Sequence, residues 1–157
     1  MAVLTVAARD LRRLNQDGKT TVQLNNVPKT YTRQDVKDML DDASFSGKYN
    51  FLYWPRDFKT KSGLGSVFVN MVTPELAQDV SEFFDGFSGW KVQSENVCQA
   101  VWATPYQGLQ EHIDRYMNSP LMHPDVPAGF KPMLFEDGVE QPWPAPTRNS
   151  ADHADSQ

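Results

Sequence analysis

The residues best placed to do chemistry lie in two short runs of alternating side chains. In Thr20–Pro28, period-two alternation puts Val22 and Leu24 on one side and Gln23 and Asn25 on the other. In Leu64–Met71 it puts Val67, Val69 and Met71 on one side and Ser66, Phe68 and Asn70 on the other. Placed side by side, the polar sides hold one aromatic ring, three amides and a hydroxyl. Such a surface can stack on a flat ligand and hydrogen-bond its edge. A third set is cationic: Arg56, Lys59 and Lys61 share one short stretch with a single acid, Asp57. Clustered cations attract phosphate.

Catalytic patterns are incomplete. Gly63-Leu64-Gly65 begins a dinucleotide fingerprint, but Phe68 holds its final glycine position and a strand follows. Gly86-Phe87-Ser88-Gly89-Trp90 departs from the nucleophile elbow at its last residue. His112, His123 and His153 lack zinc spacing and cysteine partners. On a helix the adjacent Asp41 and Asp42 side chains diverge. The expectation is therefore no enzyme, no cofactor and no metal. Cys98 is the single cysteine, which rules out an internal disulfide and a Cys-rich zinc site. It reads as a small buried hydrophobe in a reducing compartment.

These residues need elements to position them. Thr20–Pro28 reads as a strand stopped by Asn-Asn and Pro. Thr32 reads as the N-cap of a helix with Val36, Met39 and Leu40 as its stripe; Asp41 and Asp42 keep it short, because acids are unfavourable at a helix end. Tyr49–Trp54 is a second strand, stopped by Pro55. Phe51 and Tyr53 share one face, Leu52 and Trp54 the other. Both faces are apolar, so the outer one is either covered or binds a ligand. Ser66–Met71 is the third strand. Thr73-Pro74-Glu75 starts a helix with Leu76, Val80, Phe83 and Phe84 inward, ended by Gly86 and Gly89. Val97–Ala103 is a fourth strand, whose Trp102 reads as core. Gln107–Met117 reads as an additional helix with Leu109, Ile113 and Met117 at helical spacing. Pro120–Pro146 is Pro-rich and irregular, yet holds Met133-Leu134-Phe135 and Trp143.

The order strand, helix, strand, strand, helix, strand is the split βαβ arrangement. The predicted fold is α+β, a ferredoxin-like βαββαβ with a four-stranded antiparallel sheet and two helices on one face. A C-terminal helix and a Pro-rich extension are added to it. The 157 residues, 39% hydrophobic and 22% charged, suit one soluble domain with appendages. No apolar run reaches membrane-spanning length, and no signal-peptide order opens the chain. The net charge is −5, and Pro120–Gln157 holds two basic and six acidic residues. That is a mild argument against strong nucleic-acid affinity.

Leu64–Met71 has the frame of the octamer on the third strand of an RNA recognition motif. Gly65, Phe68 and Val69 fit, whereas Leu64, Ser66 and Met71 replace the basic residue and two aromatics. Val22–Val27 fits the partner hexamer except that Gln23 replaces its aromatic. Stacking on an aromatic is worth about 1–3 kcal/mol per base, so two missing platforms cost about 2–6 kcal/mol. Gln23, Asn25 and Asn70 can still reach base edges.

Over most of its length the chain resembles the C-terminal RNA recognition motif of the Mei-two-like family. The likeness lies in Val22, Asn26-Val27-Pro28, Tyr31-Thr32, Tyr49-Asn50-Phe51-Leu52-Tyr53, Asp57-Phe58-Lys59, Gly65 and Phe68–Met71. It continues through Trp90, Gln107-Gly108, Asn118-Ser119, Leu121-Met122, Pro132–Phe135 and Glu140–Pro144. Ser66 departs from it, standing where the family has an aromatic. The resemblance implies an RNA-binding domain with a family-specific C-terminal extension. Longer members carry further RNA recognition motifs upstream, an avidity not expected of this chain. The segments are then a leader (1–18), the motif (19–104), a helix and packed extension (105–146) and a disordered tail (147–157).

The functional expectation is a post-transcriptional regulator that binds single-stranded RNA. Gln23, Asn25, Tyr53, Ser66, Phe68 and Asn70 supply the sheet face, and Arg56, Lys59 and Lys61 the backbone clamp. It is expected to be monomeric, intracellular (nucleus, cytoplasm or both) and to have no membrane partner. The alternative is a protein-interaction module of the same fold, holding a peptide or its own tail on the sheet face or the extension.

Overall fold

Alternating apolar residues make the sheet. In the computed structural model, which describes residues 17–147, they form β1 (Thr21–Asn25), β2 (Tyr49–Tyr53), β3 (Val67–Met71) and β4 (Gln99–Trp102). Helices α1 (Arg33–Leu40) and α2 (Pro74–Phe84) pack on one face of them. The expected leader and tail lie outside the described residues, apart from residues 17, 18 and 147.

Both helices start on side-chain caps. Thr32 Oγ1 accepts from Asp35 N at 3.1 Å and Asp35 Oδ2 accepts from Thr32 N at 2.8 Å, a reciprocal box. Thr73 Oγ1 accepts from Leu76 N at 3.1 Å, ahead of Pro74 at the first helical position. α1 ends at Leu40, although Asp41 itself keeps helical backbone angles. The Asp41 carboxylate is met by Lys37 at 2.8 Å and by the Tyr49 hydroxyl at 2.6 Å. The chain then leaves the helix through a wide turn, Asp41–Phe45, in which Ser44 has a φ of 74°.

The sheet has six strands, not four, in the order β4-β1-β3-β2-β5-β6. β5 (Met133–Glu136) and β6 (Val139–Gln141) come from the segment that reads as irregular. β5 pairs with β2, matching Phe51 with Leu134 and Leu52 with Met133. The hairpin is closed by Asp137-Gly138, with φ values of 51° and 83°. Positive φ at both central residues matches the right-handed twist of the strands and favours Asp-Gly. Met133 and Phe135 point into the main core, so the extension is structural.

That main core joins Val22, Leu24, Leu52, Val67, Val69 and Met71 to the stripes of α1 and α2. Trp54 and Cys98 belong to it, and Trp102 packs against it. Burial pushes the Cys98 thiol up to about 12, which keeps it protonated. A second, smaller core lies on the opposite face. α3 (Leu109–Met117) crosses β2 there and covers Phe51, which is fully buried. A bulge makes this possible: Tyr49 opposes Met71 while Phe51 opposes Asn70. Tyr49 therefore turns inward onto Phe135, with ring centroids 5.0 Å apart, and Phe51 turns outward.

Candidate functional site

α3 divides the outer face into a covered half and an open half. Its start is fixed by Gln107. That amide accepts from Thr20 N and Thr21 N at 3.0 and 2.9 Å, and donates to Thr21 O at 2.7 Å and Ala103 O at 3.1 Å. One side chain thus ties the helix to β1 and to the end of β4.

The covered half holds Thr21, Asn70, Phe51, Leu134 and His112, all buried. Here the structure corrects the sequence reading. Asn70 is 2% exposed and already bonded on both ends of its amide. Its Oδ1 accepts from Thr20 and Thr21 hydroxyls at 2.7 Å each, and its Nδ2 donates to Asn50 Oδ1 at 2.8 Å. It has no edge left to read a ligand from, because α3 seals the sheet above it. Trp143 closes the far side: its ring lies 6.4 Å from Phe51 and its Nε1 donates to Pro132 O at 2.9 Å.

The open half keeps Gln23, Asn25, Ser66, Phe68 and Tyr53, each partly exposed. Gln23 stands opposite Phe68 on β3 and opposite Val101 on β4. Asn25 Oδ1 accepts from Gln23 Nε2 at 2.9 Å and from Ser66 Oγ at 2.8 Å, which makes one polar row beside the ring. Tyr53 stands opposite Phe68, with centroids 6.5 Å apart. Tyr116 of α3 meets Tyr53 edge to face at 5.1 Å. Burial, then the Tyr116 hydroxyl, pushes the Tyr53 phenol up to about 12, so it stays a neutral donor.

Arg115 extends this row of rings. Its guanidinium lies 5.3 Å from the centroid of Tyr116 and 5.6 Å from that of Tyr106. Phe68, Pro105, Tyr106, His112, Arg115 and Tyr116 line a cavity of about 170 Å³ at the edge of the open half. Tyr106, Arg115 and Tyr116 escape a reading that follows Leu109, Ile113 and Met117. The stripe that meets the sheet also runs through His112 and Tyr116, four apart on one helix face.

The cationic loop separates into two roles. Arg56 is held in place: Nε and Nη2 both donate to Lys61 O, and the guanidinium lies 4.7 Å over the Phe130 ring. It braces the loop against the extension. Lys59 and Lys61 are exposed at the tip. Asp57 shapes that tip by accepting from Thr60 N and Lys59 N, and these bonds hold its carboxyl below the usual range. Arg33 is likewise engaged, donating to Lys131 O at 3.0 Å. Among the described residues, no group of three His, Cys, Asp or Glu could hold a metal, and no helix is long and apolar enough to cross a membrane.

Residues 19–117 match the family model described as RNA recognition motif 2. Protein MEI2-like 3 of Arabidopsis thaliana is 37% identical over 135 residues, 86% of this chain and 17% of that protein. Meiosis protein mei2 of Schizosaccharomyces pombe is 33% identical over 138 residues, 83% of this chain and 18% of that protein. The chain thus spans less than a fifth of the length of these relatives. A solved Sxl-lethal protein/RNA complex aligns with 56% of this chain and 48% of its own at 19% identity, with a TM-score of 0.47.

Proposed function

The chain belongs to the RNA recognition motif 2 family, and from that premise we propose that it binds single-stranded RNA on the open half of its sheet. The observation that carries this is the partly exposed ring of Phe68, set between the Gln23–Asn25–Ser66 row and the Tyr53–Tyr116–Arg115 cluster. A base stacks on Phe68 while the polar row meets its edge. Lys59 and Lys61 add phosphate contacts at the loop tip. Because α3 removes half of the sheet, the footprint is short and affinity is modest. The biological role that fits is post-transcriptional regulation.

The test is titration of a labelled random single-stranded RNA pool at two salt concentrations. Saturable binding that weakens with salt supports the proposal. Phe68→Ala then weakens binding by about 1–3 kcal/mol. Absence of binding at low salt refutes it.

A further inference from the structure

The helical side of the molecule carries a second surface of different chemistry. A groove of about 260 Å³ runs between α1 and the end of α2. Phe83 and Phe87 form its apolar wall, and Met39 of α1 and Gly89 also line it. Phe83 is 49% exposed, although it sits at the centre of an aromatic series. Its ring lies 6.0 Å from Phe45, 4.8 Å from Phe84 and 5.9 Å from Phe87. An exposed ring backed by three others is a rigid platform, not a mobile surface side chain.

The opposite wall is acidic. Asp35, Asp38 and Asp42 line it, and the Lys91 ammonium is held by Asp35 at one end. Asp38 and Asp42 make no ion pair among the described residues. Asp38 accepts from Gln34 Nε2 at 2.8 Å and lies near the Lys91 ammonium, so three carboxylates share the groove with one cation and leave it net acidic. That surplus of negative charge disfavours the phosphates of a nucleic acid and favours a cationic ligand.

We propose that this groove docks a short peptide segment of a partner protein, in which one large aromatic side chain is flanked by arginine or lysine. The aromatic side chain enters between Phe83 and Phe87 and supplies the buried anchor. The flanking cations meet Asp38 and Asp42 on α1. The groove lies on the helical side of the sheet, away from Phe68, so peptide and RNA are compatible on one molecule.

The probe is a fluorescein-labelled peptide with one tryptophan between two arginine pairs in a Gly-Ser background. Two control peptides replace the tryptophan by alanine or the arginines by glutamate. The full chain is expected to bind the first peptide saturably and each control about tenfold or more weakly. Asp38→Lys with Asp42→Lys is a surface change that leaves the core intact, as a thermal melt would verify. It is expected to weaken the peptide about tenfold and leave RNA binding unchanged. Phe83→Ala is expected to do the same to the peptide. Equal binding of all three peptides, or affinity unchanged in both variants, would overturn the proposal. So would self-association of the chain abolished by Phe83→Ala, which would make the face a contact between two copies.

Discussion

The His112 imidazole lies flat on the Phe51 ring, with centroids 4.3 Å apart and planes within 15°. Its protonation follows from its neighbours. The Thr21 hydroxyl gives its proton to Asn70 Oδ1 and accepts from Gly108 N at 3.0 Å. It can therefore only accept from His112 Nε2, also at 3.0 Å. The proton sits on Nε2, and Nδ1 is a buried acceptor that meets no partner among the described residues. Burial depresses the imidazole to about 4.

Stability is accordingly predicted to fall on mild acidification. The unfolded imidazole titrates near 6.5, so between about 4 and 6.5 the unfolded chain binds the extra proton. The contribution of neutral His112 is complete above that window and is lost as pH drops through it, by about 3 kcal/mol at most. Urea unfolding at pH 7 and pH 4.5 measures this. In His112→Phe, which keeps the stack but not the titration, the difference between the two pH values should shrink.

Asn70→Ala separates architecture from recognition. The substitution leaves two threonine hydroxyls and the Asn50 amide without their partner, at a cost of about 1–3 kcal/mol. RNA affinity, measured under conditions where the variant stays folded, should not change. A clear loss of affinity would return Asn70 to the binding surface.

Arg115→Ala should weaken RNA binding with little effect on the melting temperature, because its guanidinium rests on two tyrosine rings at the surface. Stacking of this exposed guanidinium on a base is worth about 0.5–1 kcal/mol. Unchanged affinity would place the RNA elsewhere than beside α3.

Lys59→Glu with Lys61→Glu should flatten the salt dependence. Each phosphate contact removed lowers the slope of log K against log salt by about 0.7 for single strands. Fold stability should not move, since both side chains are exposed at the loop tip. Arg56→Ala should behave differently, because its partners are Lys61 O and Phe130.

Deleting residues 120–157 should destroy cooperative unfolding. A dispensable tail would come away and leave an intact sheet. Here the deletion strips β5 from β2 and takes Met133 and Phe135 out of the core. Burials of this size are each worth about 2–5 kcal/mol when truncated to alanine. A thermal melt with an unchanged midpoint would contradict the six-stranded sheet.

The inward halves of the strands were legible because alternation, caps and Pro stops act locally. Thr32, Thr73 and Pro74 announce their helices, whereas Asp41-Asp42 marks only the change from α1 to a wider helical turn that breaks at Ser44. The doubly apolar Tyr49–Trp54 leaves open whether the outer face is covered or binds a ligand, and the structure divides it: α3 covers Phe51, while Tyr53 stays partly exposed. The burial of Asn70 is not legible locally, because its partners Thr20, Thr21 and Asn50 are distant in sequence and the two threonines are themselves tied to Gln107 and His112 of the α3 region. The hairpin at Asp137-Gly138 was legible in principle: an Asp-Gly pair follows Met-Leu-Phe-Glu. The surrounding prolines masked it. Arg115 and Tyr116 needed the phase of α3 relative to the sheet, which no local pattern fixes.

Asn50 behaves like a one-letter frameshift in the side-chain code of β2. Before it, odd positions belong to the main core; after it, they belong to the cover beneath α3. A chain with Asn50 removed would restore a regular pleat and still send Tyr49 and Phe51 to their present sides. Removing any one residue from Phe51 to Tyr53 would instead exchange the two cores for the remainder of the strand. Among single deletions in this strand, tolerance should therefore peak at Asn50, where only the amide pair with Asn70 is lost.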